Sequence, residues 1–152
     1  GFVVTGLDFS PQMGRQARRR LQRAGLIVPL VRGRVQDLPF TAVAFDTVLS
    51  QFPTAFIMEP ETLASIARVL KPHGRLVILP EGHLTGGGVV RGALDWLFRV
   101  TGQRPGPEVD LTAVWEGFTA VLARAGFTAD IHHIPLNGSV ATVIIATRQA
   151  DD

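Results

Sequence analysis

Between Phe2 and Leu79, apolar β-rich runs alternate with segments of helical periodicity, and this alternation leaves the chain few folds to adopt. Phe2-Val3-Val4 leads through Gly6 and Leu7 to Asp8, and Ser10-Pro11 then supplies an N-cap and a first helical position. Residues 11–24 predict a helix stopped by Gly25, residues 26–31 a short apolar strand, and residues 33–39 a loop. Residues 43–50 form a nearly continuous apolar run, the pattern of a strand buried on both faces, which is expected at the centre of the sheet. In residues 60–70, Leu63, Ile66, Ala67 and Leu70 share one helical stripe, and Lys71-Pro72-His73-Gly74 ends the helix before a strand at 75–79. Strands separated by helical crossovers pair in parallel, so the expectation is an α/β, doubly wound sheet.

The rhythm changes at residues 81–108. This stretch holds Gly86-Gly87-Gly88, a helix-like VVRGALDWLFRV and the polar TGQRPGPE, and reads as a lid or substrate-side insertion within a single domain spanning 1–152. Residues 111–124 resume a helix, stopped by Gly126. Residues 129–135 and 140–147 are β-rich and flank Asn137-Gly138, a strong two-residue hairpin signal, so the sheet should end antiparallel.

At 152 residues, 46% hydrophobic and 18% charged, the chain can bury one core. The absence of cysteine excludes a disulfide frame and a cysteine metal site. No stretch of about 18 uninterrupted apolar residues is present, so no stable membrane insertion is expected, and a cytoplasmic protein is the working expectation. Arg15, Arg18, Arg19, Arg20 and Arg23 cluster at near-helical spacing without an aromatic platform; they read as a solvated helix face, and no nucleic-acid partner is expected. His132 and His133 are adjacent in a predicted strand and point to opposite faces, and no metal site is expected.

Taken in order, VTGLDFSPQM, GRVQDLPF, FDTVLSQF, RVLKPHGRLVIL and the terminal hairpin resemble the class I S-adenosylmethionine-dependent methyltransferases, in the broad small-molecule branch with LPF before the fourth strand and LKPGG before the fifth. The resemblance covers nearly all of residues 1–148, and residues 81–108 match only as the variable insertion. It implies a Rossmann-like methyltransferase sheet, S-adenosylmethionine as cofactor, and methyl transfer to a small-molecule acceptor by direct displacement.

The resemblance also assigns roles. Asp8 would hold the two ribose hydroxyls of the cofactor, and Phe9 would pack against adenine. Family members commonly carry Gly-Asp-Ala where this chain has Gly33-Arg34-Val35; arginine cannot accept from the adenine amino group, although it can stack on the ring while Val35 supplies a backbone contact. Asp37 is a substitute acceptor, with a turn-capping role as the plainer reading. Ser50, Gln51 and Phe52 end the fourth family strand, Ser50 on the cofactor side, Gln51 and Phe52 towards the acceptor. His83 and Trp96 belong to the substrate side, and Glu81 and His83 are candidates for a base where an acceptor needs one.

In the family a glycine-rich turn follows a strand that precedes the one ending in Asp8. No such turn stands before Gly1, and Gly86-Gly87-Gly88 follows the fifth strand instead. The expectation is therefore a domain whose first βα unit is missing and which is inactive alone. Two alternatives share parts of the pattern: a methyltransferase-like module that has lost its cofactor, and a fragment of an NAD(P)-dependent oxidoreductase, which also places an acid at a strand tip.

Overall fold

The computed structural model describes residues 1–51, 55–79, 82–84, 111–136 and 139–150. The first unit comprises β1 (Gly6–Asp8), α1 (Pro11–Arg23) and β2 (Leu30–Arg32). Ser10 caps α1, its Oγ accepting from the Met13 backbone N–H at 3.3 Å, and Pro11 opens the first turn. Gly25, at φ +65°, turns the chain out of the helix in the left-handed region that glycine enters without strain. The crossover returns β2 parallel to β1, with Gly6 opposite Leu30 and Asp8 opposite Arg32. Both strands are shorter than their apolar runs predict. Phe2, Val3 and Val4 precede β1 and are exposed. Leu26 and Ile27 are exposed too, and pairing starts only after Pro29, which accepts from the Gly6 N–H at 2.9 Å but has no N–H to donate.

A second parallel pair repeats the plan: β3 (Phe45–Gln51), a 3-10 turn (Ala55–Met58), α2 (Pro60–Val69) and β4 (Leu70–Leu79). Thr47 faces Arg75 and Gln51 faces Leu79, with an irregularity at residues 45–47 where Lys71-Pro72-His73-Gly74 loops within β4. The C-terminal half adds β5 (Gly82–Leu84), α3 (Leu111–Arg124), β6 (Phe127–Leu136) and β7 (Ser139–Arg148). β7 pairs antiparallel along one edge with β6, from Phe127 opposite Arg148 to Leu136 opposite Ser139. Its other edge takes β4 at Ile144 to Thr147 and β5 at Ser139 to Ala141. The expected terminal hairpin is thus formed, although its turn, residues 137–138, lies outside the described residues. The short strand β5 was not expected. Parallel pairs joined by helical crossovers, ending in an antiparallel hairpin, make an α/β Rossmann-like arrangement.

One expectation is not met among the described residues: β3 has one strand neighbour there, β4, and Leu49 is 56% exposed. An apolar run records that a strand is suited to burial; burial itself needs a layer packed on each face, and the face that carries Thr47, Leu49 and Gln51 is open. Likewise, among the described residues β1 pairs only with β2, so the parallel strands there divide between two sheets.

The core lies on one face of the larger sheet. Leu76 and Ile78 of β4 alternate with outward residues, as do Ile144 and Ala146 of β7, and all four are buried. Leu63, Ile66 and Val69 of α2 and Phe118 and Leu122 of α3 cover them, with Phe127 closing the cluster. The LPF element is fixed to α2 through its backbone: Leu38 N donates to Ser65 Oγ at 2.9 Å, and Arg68 donates to the carbonyls of Leu38 at 2.6 Å and Phe40 at 2.7 Å. Leu7 and Val35 pack against the same core and attach the first unit to it. The attachment is light. α1 has no buried residue, and a cavity of about 630 Å³ opens between it and the β1–β2 pair.

Gly74 is the tightest point of the β4 loop. A Cβ there would stand 2.8 Å from the Lys71 carbonyl oxygen and 3.3 Å from that of Asp46, both backbone atoms that cannot swing aside. Gly74→Ala is expected to cost about 1–3 kcal/mol, the range for overpacking, measured by urea unfolding. A loss below about 0.5 kcal/mol would mean that the loop relaxes freely.

Candidate functional site

The carboxyl ends of β1 and β2 lie side by side, which brings Asp8 and Phe9 next to Arg32, Gly33 and Arg34. Backbone hydrogen bonds set the arrangement: Gly33 N donates to the Asp8 carbonyl at 3.4 Å, and Asp37 N to the Arg34 carbonyl at 3.2 Å, closing a turn. Gly33 is closely packed: a Cβ there would meet the side chains of Pro39 at 3.2 Å and Leu7 at 3.3 Å, and these would have to give way slightly. The Asp8 carboxylate is exposed at the strand tip. Its Oδ1 accepts from Ser10 N at 2.7 Å, so it also supports the start of α1, while Oδ2 accepts no hydrogen bond among the described residues.

Phe9 is 59% exposed, and two guanidinium groups stand near its ring. The guanidinium carbons of Arg32 and Arg34 lie 5.7 Å and 5.6 Å from its centroid, within cation–π range. Arg32 is anchored further by donating from Nε to the Phe9 carbonyl at 3.2 Å. Sequence reasoning missed Arg32. The available signal was its spacing from Arg34, since residues i and i+2 of an extended segment lie on one side of it.

Asp8, Phe9, Arg34 and Val35 are thus brought together, Val35 half-buried beneath the others against the core. Ser50, half-buried, and Gln51, exposed, end β3 in the other sheet, opposite Ile78 and Leu79 of β4. Asp37 closes its turn with its backbone, and its carboxylate caps nothing among the described residues. His83 lies in β5, its backbone paired with Val140. Phe52, Glu81, Trp96 and the lid expected at 81–108, except for β5, fall outside the described residues.

The adenosine half of the expected cofactor fits these groups. A strand-tip carboxylate with a free oxygen suits vicinal hydroxyl donors, and the planar stack beside it suits a flat base. Among the described residues, no three His, Asp or Glu side chains converge as a metal site would require, and no helix is long and apolar enough to cross a membrane. At the far end of β3, the hydrogen bond and charge of Lys71, 2.7 Å away, hold Asp46 below the usual carboxylate range. The pair's contribution is present above that range and lost as pH falls through the lowered value, and its exposure keeps it small.

Comparison with known proteins places this geometry in a class. The family model described as a methyltransferase domain matches residues 1–78. The demethylmenaquinone methyltransferase of Thermus thermophilus is 30% identical over 97% of this chain and 73% of its own length. The uncharacterised methyltransferase YodH of Bacillus subtilis is 36% identical over 50% of this chain, which spans 33% of that protein. A solved SAM-dependent methyltransferase from Methanosarcina mazei superposes with a TM-score of 0.62 at 18% identity, covering 97% of this chain and 82% of the other, a likeness of fold. The chain belongs to the S-adenosylmethionine-dependent methyltransferase family.

Proposed function

We propose that this domain serves methyl transfer from S-adenosylmethionine to a small-molecule acceptor by direct displacement. The observation that carries the reading is the unengaged Oδ2 of Asp8 at the β1 tip, beside the Phe9–Arg34 stack. When bound, the cofactor supplies an electrophilic methyl carbon on a positively charged sulfur. The chain's part is positioning, which accounts for most of the acceleration in such a displacement. Asp8 accepts from the two ribose hydroxyls, Phe9 and Arg34 hold the base, and the Val35 backbone meets the ring edge. Ser50 stands on the cofactor side at the end of β3, and Gln51, Phe52, His83 and Trp96 belong to the acceptor side, with Glu81 or His83 taking a proton where an acceptor has one to lose. The Thermus relative, named for demethylmenaquinone, supports an apolar ring compound as acceptor.

Among the described residues β1 and β3 each keep an unpaired edge, which supports a further reading: one more parallel strand seats between them, joins the two sheets, and brings a turn to the methionine half of the cofactor. Residues 81–108, which leave the carboxyl end of β4, then form the acceptor-side lid.

Calorimetric titration with S-adenosylhomocysteine tests the site. Asp8→Ala is expected to weaken binding by about 1.5–3 kcal/mol, the range for hydrogen bonds to a charged group. Because Asp8 also accepts from Ser10 N, Asp8→Asn is the control that keeps an oxygen for the cap while removing the charge. Affinity unchanged in both variants would remove Asp8 from the site.

A further inference from the structure

We infer that this site holds its purine by stacking on Arg34, backed by Phe9 and Arg32, and does not read the 6-amino group, so that it accepts 6-oxopurine nucleosides as readily as 6-aminopurine ones. The inference rests on the reading of Asp8 as the ribose-binding acid and concerns the part of the ligand that Asp8 does not touch.

Three observations converge on it. First, several acceptors at the strand tips already receive a hydrogen bond: the Asp8 carbonyl from Gly33 N, the Phe9 carbonyl from Arg32 Nε, the Arg34 carbonyl from Asp37 N, and Asp8 Oδ1 from Ser10 N. Asp8 Oδ2 is the acceptor left at the tip of β1, and the hydroxyls need it. Second, the charged groups beside it are guanidinium ions, which donate and cannot accept. A purine amino group beside Arg32 or Arg34 finds no acceptor there, so it gains nothing over a 6-oxo group. Third, the guanidinium carbons of Arg34 and Arg32 already stand over the Phe9 ring at 5.6 and 5.7 Å from its centroid, so a flat base joins an existing cluster of π and cationic groups. Stacking of this kind tolerates any base, because every base has a π-face. The competing acceptor is the Asp37 carboxylate, exposed three residues beyond Arg34.

The test measures adenosine and inosine binding to the 152-residue chain by ligand-observed NMR, with no dependence on turnover. The two nucleosides are expected to bind within about threefold of each other, and Arg34→Ala to weaken both by about fivefold or more, the loss of one cation–π contact. Arg34→Asp is expected to shift the ratio by about fivefold or more towards adenosine, since it supplies the missing acceptor; a merely structural role for Arg34 would not move that ratio. Adenosine binding about tenfold tighter than inosine in the unaltered chain, with Asp37→Ala abolishing the difference, would overturn the inference and assign amino-group reading to Asp37. If Asp8→Asn leaves both nucleosides unaffected, the ribose assignment fails, and with it the inference. If neither nucleoside binds at about 10 mM, weaker than the roughly millimolar affinity of a minimal site, both are rejected.

Discussion

Phe127→Ala should abolish the cooperative unfolding transition of this chain or shift its urea midpoint by most of its value. Phe127 is 1% exposed and follows Gly126, whose φ of +81° turns the chain from α3 into β6. Its ring closes the cluster that Leu63 and Ile66 of α2, Leu122 of α3 and Ile144 of β7 build on one face of the sheet. Removing a buried phenyl ring costs about 3–5 kcal/mol, through the lost transfer energy and the cavity left behind. A domain of this kind has only about 5–15 kcal/mol in total. Here, moreover, the first 32 residues add little burial, so the core around Phe127 carries most of the stability. Phe127→Leu is the contrasting case: it keeps an apolar side chain of similar size and should cost less than about 1.5 kcal/mol if the neighbours repack. Near-UV circular dichroism and urea titration of the two variants check this. Equal and small losses in both would mean that the core tolerates a cavity at the α3–β6 corner.

The elements most legible in the sequence are those whose pattern is satisfied within the chain itself. The stripe of Leu63, Ile66, Ala67 and Leu70 predicts α2 because sheet residues bury it, although Leu70 itself opens β4; the β-rich runs on either side of Asn137-Gly138 predict β6 and β7 because they pair with each other. The burial expected of β3 is not met for the converse reason: its apolar composition suits a strand covered on both faces, and among the described residues one face is open. Periodicity could not reveal β5 either, since three residues in a glycine-rich stretch become a strand only through the edge that β7 offers. At the site, Asp8 was legible from its place after a strand and before a helix cap. Arg32 was not, because its role depends on the parallel register that sets Asp8 opposite it.

The same contrast between the two ends of the chain predicts a steep gradient in backbone stability. In β7, Ile144 and Ala146 are buried, and their strand is paired on both edges, with β4 and with β6. Opening it requires breaking the core, so its amides should exchange only at the free energy of global unfolding. The β1–β2 pair has three residues in each strand, and α1 above it buries none. Two-stranded sheets of that size are marginal in water, so this unit should open locally, with amides in residues 6–8 and 30–32 exchanging about a thousandfold or more faster than those of Ile144 and Ala146. Occupation of the site should compress the gradient from its weak end. Asp8, Phe9 and Arg34 belong to the segments that open, so a nucleoside held by all three stabilises the closed unit by RT ln(1 + [L]/Kd), about 2.7 kcal/mol at a hundredfold excess over Kd, and leaves β7 unchanged where local closure suffices. Hydrogen exchange followed by NMR with and without S-adenosylhomocysteine measures this directly. Protection that rises in residues 6–8 and 30–34 supports the site at the β1–β2 tips; binding that leaves those amides untouched would place the ligand on another surface of the protein.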